Sequence, residues 1–287
     1  MAHSVCCSVL MCHAPIVVPE VGGADVRQCA ATTEAMTQVG ARVVEHHPDL
    51  VVVLSPHAPR DPASWSVSDD RVLRGDFSPF RAPEVALELP GDHSAAAAIA
   101  RHAQARGVPC RLRRLGVADH GTLVPLYFLL HAGWHGPTVR LSLPYYPETR
   151  ASEAMGRAVA RAAAEAGQRW AFVASGDMSH RLEPGAPGGY HPRAHEFDDA
   201  VAWAVELGQY RRAVSLDPRL RELAAEDVVD ALVVGAAAVG WRARHHQVLS
   251  YEGPFGVGYL VAVLDESDDD DDDRAESARP RSTRHLH

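Results

Sequence analysis

The sequence predicts an α/β fold: a single domain with a central mixed, largely parallel sheet covered by helices on both faces. Two observations predict it. Short apolar runs of strand length alternate with helical segments along the chain as far as residue 264. Runs such as 4–12 and 50–55 are apolar throughout, as strands buried on both faces are. No internal repeat and no shift of composition marks a linker before residue 265.

In chain order, 4–12 reads as the first buried strand and 24–46 as a helix rich in Ala, Glu, Met and Val. The stretch 46–49, His-His-Pro-Asp, breaks that helix before the strand at 50–55. Residues 58–84, rich in Pro, Asp, Ser and Arg with Trp65, Phe77 and Phe80, read as an irregular excursion with room for a hairpin and the length of a binding loop. A strand at 85–89 follows, and Asp92 is placed to cap the alanine-rich helix 93–106. Next come a strand at 109–115, a loop at 119–121, a helix at 123–131 and a strand at 138–143. A helix at 150–167 and a strand at 170–175 lead into a Pro/Gly-rich loop, 183–192. Helices at 194–208, 219–225 and 226–240 precede closing strands at 246–251 and 256–264. Six consecutive aspartates from Asp268 then make 265–287 an acidic tail whose composition predicts disorder. The division is therefore a catalytic domain at 1–264 and a tail at 265–287.

Charge and cysteines bound the function class. Net charge is −9, and the tail alone sets nine acids against four arginines, so the remainder is mildly acidic and not a nucleic-acid binder by charge. Five cysteines, none in a CxxC pair, lie mostly in apolar runs and read as reduced core thiols of a cytoplasmic protein. No apolar stretch reaches the ~18 residues of a membrane span, and no signal-peptide pattern opens the chain. There is no HExxH helix, no GxSxG elbow and no phosphate-binding P-loop.

Chemistry-bearing side chains gather where strands end, which is where open α/β sheets bind ligands. His13 and His57 stand just past the first two strands, each in a His-Ala-Pro turn, and Glu252 stands past the strand near 246–251. Two imidazoles and a carboxylate with open positions left over is the donor set of non-heme Fe(II) oxygenases, although the donors alone leave a zinc hydrolase open. The plain alternatives are proline-bounded turn residues and an exposed hairpin acid. Asp177 and His180, three apart, share a face if they lie on one helical turn, so Asp177 is placed to orient His180 as a general base. The bland version is a capping aspartate beside a surface histidine. His120, in Asp-His-Gly-Thr-Leu-Val-Pro, is a second pocket hydrogen-bonding group or a loop residue.

Together these segments resemble the class III extradiol ring-cleavage dioxygenases, in particular their catalytic B-type subunit. The resemblance runs over residues 4–264 and rests on Met-Cys-His13-Ala-Pro, Ser-Pro-His57-Ala, Asp-His120-Gly-Thr-Leu-Val-Pro-Leu, Ser-Gly-Asp177-Met-Ser-His180 and Tyr-Glu252-Gly-Pro-Phe-Gly-Val-Gly-Tyr. It implies that His13, His57 and Glu252 bind Fe(II), with Mn(II) or Zn(II) as alternatives. It also implies that His180 is the acid/base and His120 a hydrogen-bond or proton donor. The implied substrates are a catechol-type diol and O2, the ring opening beside rather than between the hydroxyls, in a cytoplasmic homo-oligomer. The closing motif and Asp177 are also similar to a related branch of Memo-like proteins, which implies instead a metal- or partner-binding role without ring cleavage.

Overall fold

The computed structural model describes residues 5–267. Ten strands are present among these residues: β1 (Val5–Met11), β2 (Leu50–Ser55), β3 (Trp65–Ser68), β4 (Val72–Phe77), β5 (Ala82–Pro90), β6 (Cys110–Arg113), β7 (Thr138–Ser142), β8 (Trp170–Ser175), β9 (Gln247–Glu252) and β10 (Tyr259–Glu266). The α-helices are α1 (Pro19–Gly22), α2 (Ala30–Glu45), α3 (His93–Gln104), α4 (His120–His131), α5 (Thr149–Ala166), α6 (Ala194–Glu206), α7 (Tyr210–Val214), α8 (Pro218–Ala224) and α9 (Val229–Ala238).

Eight strands form one sheet in the order β6-β3-β7-β2-β8-β1-β10-β9. The four central strands, β7, β2, β8 and β1, are parallel. On one flank β3 is antiparallel to β7, and on the other β10 is antiparallel to β1 and β9 to β10. The predicted mixed, largely parallel sheet is what forms. Alternate residues of β2 show why its strand is apolar throughout. Val52 and Leu54 join the core under α3, α5 and α9, whereas Val51 and Val53 join the core under α2 and α4.

Several sequence boundaries move. The stretch 58–84 is not irregular: it holds β3, β4 and the turn to β5, with β4 and β5 paired as a separate two-stranded hairpin. In β4 an exposed Val72 and a glycine, Gly75, packed against Ala118 and Leu123, blur the alternation. The helix expected at 24–46 starts at Ala30, after short 3-10 turns, and α4 starts at His120 rather than 123. The extra turn follows from Asp119, whose carboxylate caps the Thr122 N–H. Tyr210–Val214 adds a short helix that the sequence reading left out. β10 continues to Glu266, past the expected domain end at 264, because Asp265 is fully buried and paired with Arg244. The aspartate run of the acidic tail lies outside the described residues. Among the described residues no helix is long and apolar enough to cross a membrane.

Helices α5 and α9 touch most closely at Gly156, where an added Cβ would lie 2.3 Å from the Val234 carbonyl oxygen. Gly156→Ala is therefore expected to lower stability by about 1–3 kcal/mol in urea titration, despite alanine's better helix propensity. Asp198 of α6 is fully buried, accepting from the Ser179 N–H at 2.8 Å and the Tyr251 hydroxyl at 2.7 Å. Burial pushes its pKa up to about 6 despite those two donors. A raised carboxylate pKa penalises the folded state when ionised, so the penalty is full above about pH 6 and fades as pH falls toward 4. Asp198→Asn is expected to raise the melting temperature at pH 8, with the gain over wild type closing between pH 6 and 4.

Candidate metal centre

The parallel arrangement of β1, β8 and β2 brings their carboxyl ends side by side, and His13, Asp177 with His180, and His57 follow those ends. All four line one pocket of about 630 Å³ with His120. His13 Nε2 and His57 Nε2 are 3.1 Å apart. With His120 they form a cluster whose nearest nitrogens all lie within 4.8 Å of one another.

A carboxylate completes this group, and it is not the expected one. Asp227 Oδ2 lies 3.5 Å from His13 Nε2 and 3.2 Å from His57 Nε2. Donors bound at ~2.0–2.2 Å to one ion stand roughly 3.0–3.5 Å from each other, so this triangle fits a metal ion. Asp227 precedes α9, and its other oxygen, Oδ1, accepts from the Asp177 N–H at 2.8 Å. One oxygen is thus spent on the backbone, which aims the second at the imidazoles. The sequence reading missed Asp227 by placing it inside a helix of 226–240. The one available signal was an acid directly before the largely apolar stretch 228–239, which only Asp230 interrupts with charge.

Glu252 does lie at the same edge of the sheet, but β10 intervenes between its strand and β1. Two strand spacings put it about 10 Å away from the β1 end. Its Oε2 accepts from the Thr32 N–H at 2.8 Å and the Thr32 hydroxyl at 2.6 Å, in the first turn of α2. A carboxylate there satisfies an orphan helix N–H and complements the helix dipole. The pattern of strand followed by acid was sound, but strand order, which it does not encode, sends Glu252 elsewhere.

The surrounding bonds select ring tautomers. Ser175 Oγ donates to the Gly121 carbonyl at 2.6 Å, so at 3.1 Å from His13 Nδ1 it accepts. Nδ1 therefore keeps a proton, and an ion replacing the proton on Nε2 would meet that nitrogen's lone pair in the pocket. Gly121 can receive Ser175 for two reasons. Its helical carbonyl partner four residues on is Pro125, which has no N–H, and the missing side chain lets the turn close on Ser55, whose Oγ would lie 2.4 Å from a Cβ. His180 Nδ1 donates to the Met178 carbonyl at 3.1 Å, again leaving Nε2 as the acceptor facing the pocket.

Asp177 does not orient His180 in the manner expected. Residues 177–180 are not helical, and the Asp177 carboxylate accepts from the His13 N–H at 2.9 Å, with Oδ2 3.6 Å from His13 Nε2. Burial alone would discharge His13, but Asp177, Asp227 and Asp119 overcome it and raise its pKa to about 9. Burial raises Asp177, whereas His13 and His57 hold Asp227 well below the usual carboxylate range against the same burial. Burial, reinforced by His13 and His57, pushes His120 down to about 4, so it is neutral near pH 7. The centre thus pairs a charged His13 with Asp227, and the neutral imidazole of His120 stands at its border. Phe80, whose ring is 5.6 Å from that of His120, and Val257 supply apolar wall.

The chain is 28% identical over 265 residues to Protein CA_C1420 of Clostridium acetobutylicum, an alignment covering 89% of this chain and 56% of that one. It therefore spans about half the length of that relative. The fold is shared with the crystal structure of an uncharacterised Escherichia coli K12 protein, JW3007, at a TM-score of 0.58 and 17% identity over 80% of this chain and 92% of that one. Residues 8–262 match the family model described as the catalytic LigB subunit of aromatic ring-opening dioxygenase, and the chain belongs to that family.

Proposed function

We propose that the protein is a non-heme Fe(II)-dependent extradiol dioxygenase that cleaves a catechol-type aromatic diol with O2. The observation that carries this reading is the triangle of His13 Nε2, His57 Nε2 and Asp227 Oδ2, with edges of 3.1, 3.2 and 3.5 Å. Two imidazoles and one carboxylate on a single face fit Fe(II) by donor chemistry. When bound, the ion supplies open positions for the two diol oxygens and for O2.

The remaining steps fall to the chain itself. His180 Nε2, kept free by the Nδ1 bond to Met178, takes a proton from the entering diol. Geometry comes first in identifying a base, and this imidazole faces the pocket with its lone pair available. His120 stays neutral, so it serves as a hydrogen-bonding group across the ring without placing a second cation beside the first. Phe80 and Val257 pack against an aromatic ring and exclude water from it. Asp177, holding the His13 backbone, keeps the first ligand in register with the other two.

Three substitutions separate the roles. Asp227→Asn retains the oxygen that accepts from the Asp177 N–H but removes the anionic donor, and is expected to weaken Fe(II) affinity at least tenfold in a chelator competition. Glu252→Ala is expected to keep full metal occupancy while losing about 1 kcal/mol of stability with the Thr32 cap. Occupancy lost in the Glu252 variant and kept in the Asp227 variant reverses the assignment. His180→Ala is expected to keep the metal yet cut turnover roughly 10²–10⁴-fold. The activity itself is tested by anaerobic loading with Fe(II), followed by a catechol panel and O2, watching for the yellow ring-opened product. Full loading with no diol opened refutes ring cleavage and favours the metal-binding role of the Memo-like branch.

A further inference from the structure

The mechanism leaves unused a fully buried cation and its carboxylate partners. Arg140, in the middle of β7, is fully buried, an uncommon place for a cation. Its Nη2 donates to the Gly116 carbonyl at 2.9 Å and stands 3.6 Å from Asp70 Oδ2. Its Nη1 donates to the Val117 carbonyl at 3.3 Å and to Asp119 Oδ2 at 3.4 Å. Asp119 in turn collects separate parts of the centre. Its Oδ1 accepts from the Thr122 N–H, which starts α4 at His120, and from Ser55 Oγ at 2.5 Å. Ser55 Oγ accepts from the His57 N–H at 3.1 Å.

We infer that Asp119, neutralised by Arg140, is a positioning residue that fixes His57 and His120 relative to one another. One carboxylate grips the turn that carries His57 and the helix turn that carries His120. The guanidinium beneath it sets an opposite charge 3.4 Å from that carboxylate in a mostly buried setting. The same helix turn reaches His13 through the Gly121 carbonyl and Ser175. Its catalytic meaning rests on the reading of the previous subsection, but the linkage of the two rings does not.

The test uses full-length protein with histidine-selective isotope labelling, in metal-free and Co(II)-loaded forms. Ser55→Ala leaves every charge in place and cuts only the tie to His57. It is expected to shift the His57 ring resonances in metal-free protein and leave those of His131, at the far end of α4, unchanged. Arg140→Met strands a buried carboxylate and is expected to melt well below wild type. Adding Asp119→Ala removes that charge together with the Oδ1 ties to Ser55 and Thr122, and is expected to recover part of the melting temperature. In this recovered double variant the His57 and His120 rings are expected to shift together, and Co(II) affinity to fall at least tenfold. Wild-type ring resonances for both histidines in the double variant, or for His57 in Ser55→Ala, overturn the positioning role. Failure of wild-type protein to bind Co(II) counts against the metal centre alone, because the ring resonances are read without metal.

Discussion

The centre is organised by two buried carboxylates that crowd a single buried imidazole. Asp177 and Asp227 both lie within 3.6 Å of His13 Nε2, which is itself almost wholly buried. Anions so placed need a cation and a full set of hydrogen bonds. The backbone supplies the bonds: the His13 N–H to Asp177 and the Asp177 N–H to Asp227. The positive charge has to sit among the imidazole nitrogens, and a divalent ion meets that requirement more fully than a proton does. The close approach at Gly176, where a Cβ would lie 2.5 Å from Val228 Cα, follows from the same demand, since the Asp177 and Asp227 backbones must meet.

Much of this was legible in the sequence. Apolar runs located the central strands, and residues placed just after them, His13, His57, Asp177 and His180, do share a pocket. That inference works because parallel strands put all their carboxyl ends on one edge. It fails where strand order matters. Glu252 ends a strand at the same edge, yet β10 separates it from β1, and no local pattern announces an antiparallel strand inserted there. Asp227 was missed for the opposite reason: it follows a short helix rather than a strand, and its role comes only from packing against 176–177. The hairpin of β4 and β5 was foreseen only loosely, because Gly75 and the exposed Val72 break the alternation of β4.

The polar groups behind the site matter as much as those facing it. Serines close both β2 and β8, where apolar residues would pack equally well in a plain core. Each is fully buried, and each passes a hydrogen bond between a histidine-bearing turn and the start of α4. The imidazoles therefore owe their orientation to bonds that run through the sheet's edge, and the apolar wall formed by Phe80 and Val257 only has to exclude water.

Pro125 gives α4 a further property. A helix with proline at its sixth position leaves the Gly121 carbonyl without its usual amide partner, and here Ser175 fills the gap. As an isolated segment, α4 is incomplete in its first turn. Docked on β8, it gains the missing bond only if Ser175 is in register. The helix is thus conditional on the sheet, and a misregistered β8 would leave a buried carbonyl unsatisfied, at a cost of roughly 1–3 kcal/mol. The proline thereby ties the register of one strand to the first turn of one helix.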